Sequence, residues 1–389
     1  MVNLLIKPSS SLCNLRCRYC FYEDEANNRQ QAAYGFMTEE TLEQIIKKTL
    51  EYSTDGCTIA YQGGEPTLIG LEFFRKSIEF QNKYNTKGIS IHNAIQTNGY
   101  RLGKEWAEFF AENNFLVGLS LDGTKDIHNA YRKNAAGEDT FFDIMDTKHL
   151  FDKYHVEYNI LTVVNSRTAK KAKRVYEFYR KHNLHYLQFI PCMDPMAVAD
   201  EAAKVKAAED INEKAAGDLT GSMDFSLSAE DYGIFMSELF DLWYADLLQG
   251  KQPYIRSFEN YIGILMGLPP EACDQSGVCG MQYVIEADGE VYPCDFYVLD
   301  DYKLGNLNTC SMEEVDRRRK EIRFIENSAN KTNECRNCRY YPVCRGGCHR
   351  YRTIQKPDGM ENSLCGGFKL FFDHSLDRMQ EIVKVLKQK

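Results

Sequence analysis

Nowhere in the 389 residues does a run approach the roughly 18 apolar residues that a membrane-spanning helix needs, and the apolar stretch in MVNLLIKPSSSLC is too short for a secretory signal. The reading that follows is a cytoplasmic protein with no membrane partner. An excess of positive charge is also missing: the net charge is −9, whereas a general nucleic-acid binder needs clustered Lys and Arg to neutralise phosphates. No internal repeat is visible. Hydrophobic residues at 43% and charged residues at 26% exclude wholesale disorder and fibrous classes.

Cysteine, by contrast, is abundant and unevenly placed. Of 14, three stand near the start, eight fall in groups from Cys273 to Cys365, and Cys57, Cys192 and Cys310 stand outside the groups. Cytosolic thiols are kept reduced, so close-set cysteines here read as metal or cluster ligands rather than as a disulfide framework. Cys57 and Cys192 read as buried thiols, and Cys310 as incidental.

The first half alternates β-rich runs with helical patterns. Strands are expected at Leu4 to Lys7, Thr58 to Gln62, Ile89 to Gln96, Leu116 to Leu121, Tyr158 to Val164 and Tyr186 to Ile190, with helices at Thr38 to Tyr52, Leu71 to Tyr84, Lys104 to Asn113, Thr140 to Tyr154 and Thr168 to His182. Six βα units suit an α/β fold, a partial (β/α)6 barrel whose chemistry sits at the carboxyl ends of the strands. Residues 1–227 form that expected domain, of which 195–227 is an acidic connector or insertion. Residues 228–389 form a loop-rich C-terminal domain with flanking helices, the first at Ala229 to Leu248, and bound clusters would supply part of its stability.

In Cys13-x3-Cys17-x2-Cys20 three thiolates lie within eight residues just after the first strand. They can wrap one face of a 4Fe-4S cubane and leave one iron open. Zinc would want a fourth nearby ligand, and a ferredoxin run has a different spacing. Other strand ends carry polar residues: Gly63, Gly64 and Glu65 in YQGGEPTL, then Gln96, Thr97 and Asn98, then Ser120 and Asp122. Each is also ordinary turn chemistry. Arg132 in HNAYRKN is a weaker candidate, since an arginine there would ordinarily be solvated. The later cysteines run Cys273-x5-Cys279-x14-Cys294, then Cys335-x2-Cys338-x5-Cys344-x3-Cys348-x16-Cys365, enough for two fully ligated cubanes or two four-thiolate zinc sites.

The trio, with Tyr19 before its last cysteine, resembles the signature of the radical S-adenosylmethionine enzymes. QGGE resembles that family's GGE motif, which implies binding of the cofactor's methionine amino group, and the resemblance implies cofactor contacts for Tyr19, Gln62, Gly63, Gly64, Glu65, Gln96, Asn98, Ser120 and Arg132. The later cysteines resemble the SPASM domain of peptide-modifying members. That implies one auxiliary 4Fe-4S cluster on Cys273, Cys279, Cys294 and Cys348 and another on Cys335, Cys338, Cys344 and Cys365, three clusters in all. Through LLIKPSSSLCNLRCRYCFYED, QGGEPTL, LQFI and VYPCDFYVLD the chain is similar to anaerobic sulfatase-maturating enzymes.

This likeness implies a 5′-deoxyadenosyl radical that removes hydrogen from Cβ of a client Cys or Ser in a Cys/Ser-x-Pro/Ala-x-Arg motif, yielding Cα-formylglycine. Asp295 in YPCDFY is implied to take the thiol or hydroxyl proton, an auxiliary cluster to accept the second electron, and Tyr22 and Gln62 to face the substrate. The expected partners are a sulfatase polypeptide and a flavodoxin or ferredoxin-like electron donor, with the enzyme a monomer. Two alternatives stay open: another SPASM-type enzyme forming thioethers, epimers or crosslinks, and a non-catalytic zinc or iron-sulfur module.

Overall fold

The computed structural model describes residues 2–196 and 223–388, so most of the expected connector, 197–222, lies outside the described residues. In chain order the strands are β1 (Val2–Ile6), β2 (Gly56–Tyr61), β3 (Ser90–Thr97), β4 (Leu116–Ser120), β5 (Glu157–Val164), β6 (Tyr186–Pro191), β7 (Tyr254–Ile255), β8 (Tyr283–Ile285), β9 (Glu290–Tyr292), β10 (Gly305–Asn306), β11 (Ile354–Lys356) and β12 (Gly359–Glu361). The first six fall on the six expected strands.

The expected helices also form. Thr38 caps the helix Glu39–Tyr52, its side chain accepting from the Thr41 amide, and Leu42, Ile45, Ile46 and Leu50 of that helix are buried at the spacing that one inward face requires. Leu71–Tyr84, Lys104–Glu112, Phe141–Tyr154 and Ala229–Leu248 follow the same reading. The stretch expected as one helix from Thr168 is two, Ser166–Ala169 and Ala172–Lys181. The Asn165 side chain accepts from the amides of Arg167 and Thr168 and starts the first earlier than expected, and the chain turns between them.

The chain divides into two compact units. The first comprises residues up to 121, 128–159 and 281–324. Its strands lie in the order β10-β9-β8-β1-β2-β3-β4. Strands β1 to β4 run parallel, and β8 joins the other side of β1, also in parallel, with Ile285 opposite Ile6. A hairpin then places β9 antiparallel to β8. Through this return a segment nearly 280 residues downstream, carrying Cys294 and Asp295, reaches the carboxyl end of β1. Leu5, Tyr22, Val284, Tyr292 and Val298 pack together as the core of that junction.

The second unit comprises 122–127, 160–280 and the residues from 325 onward. Strands β5, β6 and β7 are parallel there, and β11 and β12 form a separate hairpin. Its core is the crossing of Ala229–Leu248 with the long C-terminal helix Cys365–Leu386. A Cβ on Gly367 would stand 2.1 Å from the Ala229 carbonyl oxygen, so the backbones approach as only glycine permits.

Candidate active site

The cysteine loop is built on backbone pairing. The amides of Arg16 and Arg18 donate to the carbonyls of Lys133 and Tyr131, and the Gly64 and Glu65 amides donate to those of Ser10 and Leu12, each at 2.8 Å in the latter pair. The Gly-Gly-Glu turn therefore lies flat against the loop bearing Cys13, and a Cβ at Gly64 would stand 2.1 Å from the Leu12 carbonyl oxygen. Backbone rather than a flexible side chain is the obstacle. Gly64→Ala should displace the loop and lower iron bound per chain at the first site, read by iron analysis and by 5′-deoxyadenosine yield; unchanged values would contradict this packing.

Glu65 is fully buried and its carboxylate is occupied. It accepts from the Thr67 amide at 3.1 Å, the Thr67 hydroxyl at 2.7 Å, the Thr97 hydroxyl at 2.8 Å and the Asn98 amide at 2.8 Å. Asn98 in turn directs its side-chain amide to Cys13 Sγ at 3.7 Å and to Asn14 Oδ1 at 2.8 Å. Glu65 thus ties the end of β3 to the cysteine loop. Gln96 donates to the Ser120 hydroxyl at 3.2 Å across neighbouring strand ends.

Arg132 corrects the expectation of a solvated side chain. It is only 7% exposed, with Nη1 at 3.9 Å from Cys17 Sγ and its guanidinium 5.4 Å from the Tyr19 ring centre. Asp122 belongs to the second unit and is spent on its own fold, accepting from the Val163 amide at 2.9 Å.

Burial pushes the Cys13 thiol up to about 12, and Glu65 adds to the effect; Cys20 is raised chiefly by burial as well. Thiolates in such a place need a cation. The positive iron-sulfide core of a cluster would supply one and couple its binding to folding.

Asp295 stands in the same unit. Its Oδ1 pairs with Lys7 Nζ at 2.5 Å, and its Oδ2 accepts from Gln62 Nε2 at 2.9 Å. The Lys7 side chain is fully buried while Asp295 retains 14% exposure, so the carboxylate faces outward from a charged base. The Lys7 ammonium sits 3.6 Å from the centre of the Tyr22 ring. Tyr22 donates its hydroxyl to Glu286 Oε1, which also pairs with Arg29 Nη1 at 3.0 Å. Lys7, Arg29 and Glu286 were invisible to sequence reasoning; a lysine ending a buried strand, in LLIKP, was the available signal.

Burial pushes the Glu286 carboxyl up to about 7 against the opposing charge of Lys7. An unfolded glutamate titrates near about 4.3, so the folded chain holds this proton more tightly. Its contribution to stability is complete below about pH 4 and is lost as pH rises through about 7. Glu286→Gln should therefore flatten the fall in unfolding free energy between those values in anaerobic denaturant titrations; an unaltered slope would contradict the assignment.

In the second unit Cys335, Cys338, Cys344 and Cys365 line one cavity with Tyr340 and Phe368. Burial pushes Cys344 up to about 12, and Cys365, Cys335 and Cys338 raise it further as close like charges. Cys348 behaves in the same way with Cys273 and Cys279 as its neighbours. Two thiol groups therefore separate within this unit. Cys57 and Cys192 are buried, as expected.

The Radical SAM superfamily matches residues 8–179, and an iron-sulfur cluster-binding domain, SPASM, matches residues 277–339. The fold and the cysteine loop thus define a radical S-adenosylmethionine protein with an additional cluster-binding domain. The cysteine-type anaerobic sulfatase-maturating enzyme of Clostridium novyi is 43% identical over 99% of this chain and 98% of its own length. The serine-type enzyme of Bacteroides thetaiotaomicron is 33% identical over 98% of this chain and 91% of its own. The solved structure of native anSMEcpe with bound AdoMet and Kp18Cys peptide superposes with a TM-score of 0.87 at 41% identity, covering 98% of this chain and 99% of that one. The chain belongs to the anaerobic sulfatase-maturating enzymes. Its α/β fold class, its iron-sulfur and S-adenosylmethionine chemistry and a sulfatase or peptide substrate follow from that membership.

Proposed function

We propose that this enzyme converts a cysteine of a sulfatase polypeptide to Cα-formylglycine, with Asp295 as the base that takes the thiol proton. The observation that carries the reading is the placing of Asp295: gripped by Lys7 and Gln62, partly exposed, and in the same unit as the cysteine loop. Cysteine is preferred over serine as the target because identity is 43% to the cysteine-type relative and 33% to the serine-type one.

Cys13, Cys17 and Cys20 would hold the cluster that binds S-adenosylmethionine. When bound, the clusters and this co-substrate supply the electron that generates a 5′-deoxyadenosyl radical and an acceptor for the electron the substrate gives up. Tyr19, Gly63, Gly64, Gln96, Asn98, Ser120 and Arg132 would contact the cofactor, and Glu65 holds the end of β3 to the cysteine loop. A buried guanidinium beside Cys17 suits Arg132 to the negative charge of a cluster or a carboxylate.

The chain's own part in the proton transfer rests on Lys7. Its ammonium holds one Asp295 oxygen and Gln62 fixes the second, so the carboxylate's free lone pairs are left to meet the target thiol. Tyr22 shapes the floor of the substrate site. The two thiol groups of the second unit favour a partition with Cys335, Cys338, Cys344 and Cys365 on one side and Cys273, Cys279 and Cys348 on the other, and the likeness to SPASM domains implies Cys294 as the further ligand of the latter. That makes three clusters in all, in a cytoplasmic monomer served by a flavodoxin or ferredoxin-like donor.

The test is incubation of the anaerobically reconstituted chain with S-adenosylmethionine, reductant and peptides bearing Cys-x-Pro-x-Arg or Ser-x-Pro-x-Arg, with mass analysis for an aldehyde. The cysteine peptide should be converted and the serine peptide more slowly. Aldehyde from neither would overturn the reading.

A further inference from the structure

Arg319 presents a buried guanidinium with two of its three nitrogens left without a hydrogen-bond acceptor. It lies in the helix Met312–Glu321, its side chain is 2% exposed, and its Nε and Nη2 have no hydrogen-bond acceptor. Its Nη1 reaches the Pro293 carbonyl, next to Cys294, at a long 3.4 Å. Asp316 Oδ1 is 3.9 Å from Nε, too far for a hydrogen bond, and that carboxylate is already spent on the hydroxyls of Tyr52 and Tyr283, each at 2.7 Å. The guanidinium lies 4.9 Å from the centre of the Tyr283 ring.

Leaving a guanidinium buried with two donor nitrogens, three N–H groups, open is costly, and native interiors tolerate it only where another group completes it. Burial lowers the Arg319 pKa, while Tyr283, Asp316 and Cys294 oppose that shift. Of these, Cys294 is the one whose neighbourhood gains negative charge when a cluster is held there: a cubane with four thiolates carries a net negative charge that grows on reduction. Hydrogen bonds to its sulfurs and nearby charge set its potential.

We infer that Arg319 is a positioning residue for the auxiliary cluster on Cys294, donating to its sulfur atoms and raising its reduction potential so that it accepts the substrate's electron. The inference rests on the reading of Cys294 as a cluster ligand. A cationic donor favours the reduced, more negative state, so the direction of the effect is fixed by charge.

The experiment is a potentiometric titration, followed by electron paramagnetic resonance, of the reconstituted full chain and of its Arg319→Gln and Arg319→Lys variants. Arg319→Gln should bind as much iron as the parent and shift one auxiliary cluster to lower potential by about tenfold in its one-electron equilibrium, or about 59 mV. Arg319→Lys, which keeps the charge, should shift it less. Full iron with unshifted potentials in Arg319→Gln overturns the inference. Where Arg319→Gln fails to hold iron, the parent labelled with 15N-arginine decides: nitrogen coupling to a reduced auxiliary cluster, lost in Arg319→Lys, supports the contact, and absent or persistent coupling overturns it. Cys294→Ala separates the two readings. Full iron in that variant removes the ligand assignment itself, whereas loss of one cluster with unshifted Arg319 variants removes only the role of Arg319.

Discussion

Asp295→Asn should leave S-adenosylmethionine cleavage within about threefold of the parent while lowering formylglycine formation by about 100-fold or more, the scale of losing a positioned general base. Asparagine keeps the shape, and its one oxygen can still accept from Lys7, which holds Oδ1 at 2.5 Å; its NH2 replaces the oxygen that accepts from Gln62 at 2.9 Å, so that contact survives only if the Gln62 amide turns to present its own oxygen. What it loses is basicity. Cofactor cleavage depends on the cysteine loop, whose backbone is fixed by the segments around Ser10, Gly64 and Lys133 and not by Asp295. The two yields should therefore separate, as measured by chromatography of 5′-deoxyadenosine and mass analysis of the peptide in one incubation. A parallel fall in both would mean that Asp295 acts on the fold, and full product formation would remove it from the chemistry.

Replacing Cys13, Cys17 and Cys20 together by alanine should abolish both yields and remove close to four irons per chain while leaving the iron of the second unit in place. The three thiols lie on one loop of the first unit, whereas the groups around Cys344 and Cys348 lie in the second and are raised by neighbours of their own. A cubane bound there needs none of the trio. Iron analysis with deoxyadenosine measurement checks this: residual cofactor cleavage, or loss of all the iron, would show that the sites are not independent.

Periodicity made β1 to β6 and most of their helices legible, because each buries an inward face against its neighbours. Thr38 could be read as a cap because its chemistry is local. Beyond Cys273 the signals fade. Strands β8 to β10 are only three and two residues long, too short to show alternation, yet they carry Asp295 to β1. The helix Cys365–Leu386 begins with Cys-Gly-Gly, and paired glycines disfavour a helix; here Gly367 is required because the Ala229 backbone crosses against it.

The site divides in the same way. Cys13, Cys17, Cys20 and the Gly-Gly-Glu turn announce themselves through spacing, since their ligand demands residues close in sequence. Lys7, Arg29 and Glu286 do not, because the pairs that define them span some 260 to 290 residues. Arg132 looked like a surface arginine for a related reason: its burial follows from the cysteine loop folding over it, which no local pattern records.

The most direct measurement uses a Cys-x-Pro-x-Arg peptide deuterated at Cβ of the target cysteine, followed by mass analysis of both products. Deuterium in 5′-deoxyadenosine alongside a formylglycine aldehyde is the expected result. Deoxyadenosine free of deuterium, with the aldehyde formed, would contradict hydrogen removal from Cβ by the deoxyadenosyl radical and with it the central account of this enzyme.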